Sequence, residues 1–220
     1  MAVNLVEREG AYGLAFDDPK RGKPYFVDFT GANWRSRILK GLPRQHIFRR
    51  ALGVHNRPVR LLDATTGFGQ DAMMAFALGC EVAALERSHL VARVLRDGVQ
   101  RAMREFPQLG ARASAFKIIE ADARQYLAAL KPEDFPDIVY LDPMFSKPKK
   151  KKAKSPKEMQ LLQELLGEPP DQAEEEELFD LAFKVARDRV VVKRPLKARA
   201  LKSSPSHSFK GQSVRYDVYV

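Results

Sequence analysis

Cysteine is almost absent from this chain, with one residue, Cys80, in 220. A single thiol excludes an internal disulfide, a paired redox motif and a zinc site built on cysteines. Its apolar setting, FALGCEVAAL, marks it as a buried structural thiol rather than a nucleophile. Histidine is sparse as well. His46, His55, His89 and His207 show no paired ligand spacing, so they are read as surface or packing residues and no metal is expected. Long apolar runs are also missing. The start, MAVNLVEREG, has no apolar stretch behind a basic one, and no later segment has the roughly 20 consecutive apolar residues that cross a bilayer, so the expected setting is the cytosol. No internal repeat is visible.

What the chain does have is positive charge. Its formal net charge is +10 and its pI about 9.7, which favours a polyanionic partner: RNA, DNA or an anionic membrane. With 45% hydrophobic and 30% charged residues, it fits one soluble globular domain that buries roughly 70% of its unfolded surface. The only low-complexity segment is the lysine run SKPKKKKAKSPK, directly after YLDPMF.

Residues 1–56 read as an N-terminal extension: strand-like YGLAF and PYFVDF, the turn TGAN, then the basic helix-like segment ANWRSRILKGLPRQHIFRRALG. From residue 57 to 220 apolar runs alternate with helical stretches. RPVRLLDATTGFGQDAMMAFALGCEVAALER has the size of a βαβ unit. A helix from about Ser88 to Phe106, a strand near SAFKIIEAD, a helix near ARQYLAALK and the strand DIVYLD follow. This alternation predicts a doubly wound, mostly parallel α/β sheet of Rossmann-like type. SPKEMQLLQELLG and EEEELFDLAFKVA have helical spacing, with Asp171 and Glu174 to Glu177 at a helix start, where the dipole favours negative charge. RVVVKRP and SVRYDVYV close the chain as strands. The last is expected to be exposed on one face and to form an antiparallel hairpin at the sheet edge.

In such a sheet ligands bind beyond the carboxyl ends of the strands, and four of these ends carry signals. Asp63 ends one strand, Gly67 and Gly69 permit a tight turn and close ligand approach, and Asp71 opens the next helix. A carboxylate at that helix start would repel a pyrophosphate, so a cationic or zwitterionic ligand fits better. Glu86 ends the next strand, where a carboxylate can hold both hydroxyls of a ribose. Asp122 can accept from an adenine amino group beside the Ala123 N–H, or simply cap a helix. In YLDPMF, Asp142 and the Pro143 carbonyl can each accept one hydrogen of an amino group while Phe145 stacks on a base. Two acceptors free the delocalised lone pair of a nucleobase amine for attack. S-adenosylmethionine would then be the methyl donor, and in-line positioning would be the protein's main contribution, with no metal needed.

DATTGFGQDA, LER, YLDPMF and RVVVKRP, together with YFVDF and RYDVYV, resemble in order and spacing the ribosomal RNA small subunit methyltransferase J family. The resemblance covers most of the chain. It implies transfer of a methyl group from S-adenosylmethionine to the exocyclic N2 amine of a guanosine in 16S rRNA. It also implies that Gln70 and Asp71, Glu86 and Arg87, Asp122 and Ala123, and Asp142 contact the donor or the reaction centre. Gln70 stands where the family pattern usually has Arg, and the segment before YFVDF is short.

The lysine run is expected at the lip of this pocket, where Lys147, Lys149, Lys150, Lys151 and Lys152 can hold RNA phosphates while a base enters. Lys193 and Arg194 would border the pocket from the next strand end. Trp34, Arg35, Arg37, Lys40 and Arg44 either extend that surface or form an amphipathic helix packed on the sheet. Three alternatives remain at this point: the same chemistry on adenine N6 or cytosine N4, a non-catalytic RNA-binding protein that keeps the fold, and a nicotinamide-dependent oxidoreductase.

Overall fold

The computed structural model describes residues 3–54, 59–143, 157–167, 170–202 and 204–220. The described chain begins with β1 (Val3–Arg8), β2 (Ala11–Phe16), β3 (Tyr25–Phe26), α1 (Ala32–Lys40) and α2 (Ile47–Leu52). It continues with β4 (Arg60–Asp63), α3 (Gln70–Ala77), β5 (Glu81–Glu86), α4 (His89–Glu105), α5 (Pro107–Gly110), β6 (Phe116–Glu120), α6 (Ala123–Ala129) and β7 (Ile138–Leu141). The last elements are α7 (Lys157–Leu166), α8 (Gln172–Val185), β8 (Arg189–Pro195), β9 (His207–Lys210) and β10 (Val214–Tyr219).

The main sheet has seven strands in the order β6-β5-β4-β7-β8-β10-β9. The first five run parallel, while β10 pairs antiparallel with both β8 and β9. Chain order reverses between β4 and β7, so the binding crevice of this doubly wound sheet belongs at their carboxyl ends. The sheet is covered on both faces. Ile138, Tyr140 and Val191 point into one core with α2, α3 and α4, whereas Val139, Leu141, Val190 and Val192 point into the other with α6 and α8. This two-sided burial explains why β7 and β8 read as continuous apolar runs.

The N-terminal elements add a second, three-stranded antiparallel sheet, β1-β2-β3, whose buried Leu14 and Phe16 join the core under α4 together with Val27, just after β3. The strand β1, which the sequence did not single out, pairs with β2 along its whole length. Contact with α4 is close: a Cβ on Gly98 would lie 2.6 Å from the Val27 carbonyl oxygen, which explains a helix-interior glycine that costs roughly 1 kcal/mol against alanine. Asp97 accepts from the Tyr12 N–H at 3.3 Å, and Arg101 donates to the Val27 carbonyl at 2.5 Å.

Two sequence expectations need correction. The basic segment after TGAN is two helices rather than one, because Gly41 adopts φ +67° and Pro43 cannot continue a helix. Nor is β10 exposed on one face. It lies between β8 and β9, with Tyr216 packed on Phe48 of α2 and Tyr219 on Phe179 of α8. Its charges neutralise each other inside: Arg215 Nε lies 2.9 Å from Asp217 Oδ1. Cys80 is buried as expected, and burial pushes its thiol up to about 12.

Candidate functional site

The ends of β4, β5, β7 and β8 converge on a cleft of about 1890 Å³. That exceeds the roughly 300–1,000 Å³ of a typical small-molecule site. After β4 the chain turns sharply through Gly67 (φ +54°) and Gly69 (φ +74°), a region that favours glycine. A side chain at Gly69 would also strike Leu95, 2.4 Å from a built Cβ. The turn is set by Asp63, which accepts from the Thr65 N–H at 3.0 Å, and by the Thr66 hydroxyl, which donates to the Asp63 carbonyl at 3.0 Å. Burial drives the Asp63 carboxyl up to about 8, and nearby Asp71 and Asp142 push it the same way; the Thr65 amide and Lys193 oppose them.

Glu86, at the end of β5, is 5% exposed and accepts from the Ser88 N–H at 2.7 Å. Burial raises its pKa, while the amides of Ser88 and Gly67 and the Arg87 guanidinium lower it. Asp122 caps α6, its Oδ1 accepting from the Arg124 and Gln125 amides at 3.0 and 3.2 Å, and it lines the cleft beside Ala123. The helix-capping reading is therefore met.

Asp142 follows β7, and its backbone N–H donates to Thr65 Oγ1 at 2.6 Å, tying the Asp-Pro turn to the glycine turn. Lys193 Nζ reaches across from β8, 2.9 Å from Asp142 Oδ2 and 2.8 Å from Asp71 Oδ2. The Tyr140 hydroxyl donates to the same Asp71 oxygen at 2.7 Å. Asp142 sits at the floor of the cleft with 34% of its side chain meeting solvent and protein crowding the rest. That burial raises its pKa, Lys193 pulls it down, and Asp71 adds to the rise. For Lys193, burial opposes the charged form, but Asp142 and Asp71 more than offset it and hold the ammonium charged.

The structure thus brings Asp63, Gly67, Gly69, Gln70, Asp71, Glu86, Arg87, Asp122, Ala123, Asp142 and Pro143 to one cleft. Gln70 Nε2 bonds Glu158 at 3.2 Å and Arg87 donates to the Leu166 carbonyl at 2.6 Å, so both also moor α7 over the glycine turn. Lys193 and Arg194 border the cleft from the end of β8, as expected, but both charges are taken by carboxylates. Lys193 is a pocket residue between two carboxylates. Arg194 is 8% exposed, with Nη1 at 3.0 Å from Glu175, so its charge is directed inward. Phe145, Lys147, Lys149, Lys150, Lys151 and Lys152 lie outside the described residues. Sequence reasoning found the helix of α7 but not its place against the cleft, and it missed Tyr140 and Thr65; only the Thr-Thr pair before the glycines could have flagged one of them.

The lining fits S-adenosylmethionine in kind: a buried carboxylate, Glu86, behind a two-glycine turn, and the acidic side chains of Asp71 and Asp122 on the cleft wall. A parallel sheet with an antiparallel β10 and this cleft define an S-adenosylmethionine-dependent methyltransferase. The family model described as "Putative SAM-dependent methyltransferase" matches residues 2–220. Curated relatives named ribosomal RNA small subunit methyltransferase J include one from Thioalkalivibrio sulfidiphilus, 37% identical over 94% of this chain and 80% of its own length. Another, from Alteromonas mediterranea, is 38% identical over 98% and 81%. A solved structure of a SAM-dependent methyltransferase from Neisseria gonorrhoeae superposes with a TM-score of 0.73 at 29% identity, covering 98% of this chain and 81% of that one. The chain belongs to the ribosomal RNA small subunit methyltransferase J family, and S-adenosylmethionine is its cofactor.

Proposed function

We propose that this protein methylates the exocyclic N2 amine of a guanosine in 16S small-subunit rRNA, acting in the cytoplasm on free RNA or the assembled subunit. Family membership supports the RNA class, and the observation that carries the amine chemistry is the Lys193-braced Asp142–Pro143 turn on the cleft floor. When bound, S-adenosylmethionine supplies an electrophilic methyl group and leaves as a neutral thioether.

The chain's own residues position and polarise. Glu86 holds the ribose, and Asp122 with Ala123 borders the adenine. Asp142 and the Pro143 carbonyl accept the two amine hydrogens, which localises the lone pair on nitrogen. Lys193 keeps Asp142 ionised, so it remains an acceptor; as the new C–N bond forms, the amine gives one proton to Asp142, which passes it to water. Residues 57–220 serve as the methyltransferase domain, with residues 1–56 as an added layer that steadies α4.

Nucleoside mass spectrometry of small-subunit rRNA from cells with and without the gene tests this reading. Loss of N2-methylguanosine is expected. Loss of a methylated adenine or cytosine would move the activity to another amine, and an unchanged profile would overturn it.

A further inference from the structure

The segment from Lys193 to Lys202 carries five basic side chains, and the fold sorts them. Lys193 is taken by Asp71 and Asp142, Arg194 by Glu175, and Lys202 by Asp180 at 3.1 Å and Glu176 at 3.6 Å. Lys197 and Arg199 differ. Both are exposed, both line the mouth of the cleft, and neither side chain has a hydrogen-bond or ion-pair partner among the described residues.

The backbone that presents them is clamped from beneath. Arg215 Nη1 donates to the carbonyls of Pro195, Leu196 and Ala198 at 3.1, 2.9 and 2.8 Å, and Arg194 Nε donates to the Arg199 carbonyl at 3.1 Å. The Leu196 N–H bonds the Ser213 carbonyl at 3.0 Å. Two buried arginines, each neutralised by a carboxylate, therefore turn the loop's carbonyls inward, while Lys197 and Arg199 alternate outward.

We propose that Lys197 and Arg199 form a preorganised phosphate rail that grips the RNA backbone beside the nucleotide entering the cleft. This rests on the reading of the substrate as RNA. Cations without intramolecular partners exchange only solvent and counterions for phosphate, so each contact keeps its full counterion-release gain. A loop already fixed in place loses little further freedom on binding. The neighbouring acids of α8 would repel a phosphate, and the rail leaves the backbone a favourable path past them.

The test uses the full-length Lys197→Ser/Arg199→Ser variant, with binding to free small-subunit rRNA measured across salt concentrations. A Lys117→Ser/Lys131→Ser variant makes the same change in net charge at exposed residues outside the cleft. Relative to wild type, the rail variant should reduce the slope of log affinity against log salt by about 1.4, at about 0.7 per contact. Its RNA KM should rise several-fold, with kcat and S-adenosylmethionine affinity within about two-fold, and the control should keep the wild-type slope. A rail variant whose slope matches the wild type or the control overturns the proposal. The outcome is separable from the choice of base: if the protein methylates another nucleotide but the slopes still diverge, the guanine assignment fails and the rail stands.

Discussion

Lys193 Nζ lies 2.9 Å from Asp142 Oδ2 while the same ammonium reaches Asp71, so one cation serves two carboxylates at the end of the sheet. Removing it leaves those carboxylates facing each other. In Lys193→Met, Asp142 loses the group that lowers its pKa, while burial and Asp71 still raise it. The acid limb of the pH–rate profile should therefore move to higher pH and kcat should fall, with Lys193→Arg restoring part of both. An acid limb unmoved in Lys193→Met would show that Asp142 ionisation does not depend on this contact.

Asp142→Asn keeps the shape of the side chain but replaces an anionic acceptor with a neutral one. Turnover should fall at least about 100-fold while cofactor affinity stays within a few-fold, the pattern of a group acting mainly in the transition state. Single-turnover methylation of rRNA together with calorimetric titration of the cofactor separates the two. A wild-type single-turnover rate would remove Asp142 from the reaction.

Glu86→Ala should weaken S-adenosylmethionine binding by about 1.5–3 kcal/mol, the usual worth of hydrogen bonds to a charged group. Calorimetry reads this directly, and an unchanged dissociation constant in the folded variant would exclude Glu86 from the cofactor site.

Asp63 gives a pH prediction that needs no substrate. Its carboxyl is raised by burial from 3.8 to about 8, so the folded protein holds that proton more tightly than the unfolded chain. Below about pH 4 both states are protonated; between about 4 and 8 unfolding releases the proton, so this contribution to stability is lost as pH rises through the folded value. Asp63→Asn retains an oxygen for the Thr65 N–H and lacks the titration. The melting temperature of Asp63→Asn should gain on the wild type steadily from pH 5 to pH 8. Two curves that run parallel would show that Asp63 is not the group responsible.

The strand ends were readable because each couples an apolar run to a carboxylate or a glycine pair: Asp63 with Gly67 and Gly69, Glu86, Asp122 and Asp142. Period and turn chemistry are local properties, and the chain displays them. The role of Lys193 is not local. Its partners lie 51 and 122 residues away, and only the placement of β8 beside β7 brings them together. The same holds for Arg194, whose partner Glu175 stands 19 residues earlier on α8. The burial of β10 was hidden for a related reason: Arg215 and Asp217 give it the alternation of a half-wet strand, yet they compensate each other inside the sheet.

The close seat of Val27 on Gly98 also sets an order of events during synthesis. Tyr12 and its partner Asp97 are 85 residues apart, so β1 to β3 leave the ribosome well before the helix that covers them has been made. At about 5–20 residues per second, the interval is roughly 4 to 17 s. For that time Leu14, Phe16 and Val27 have no lid, and the newborn hairpin carries apolar surface that α4 will later cover.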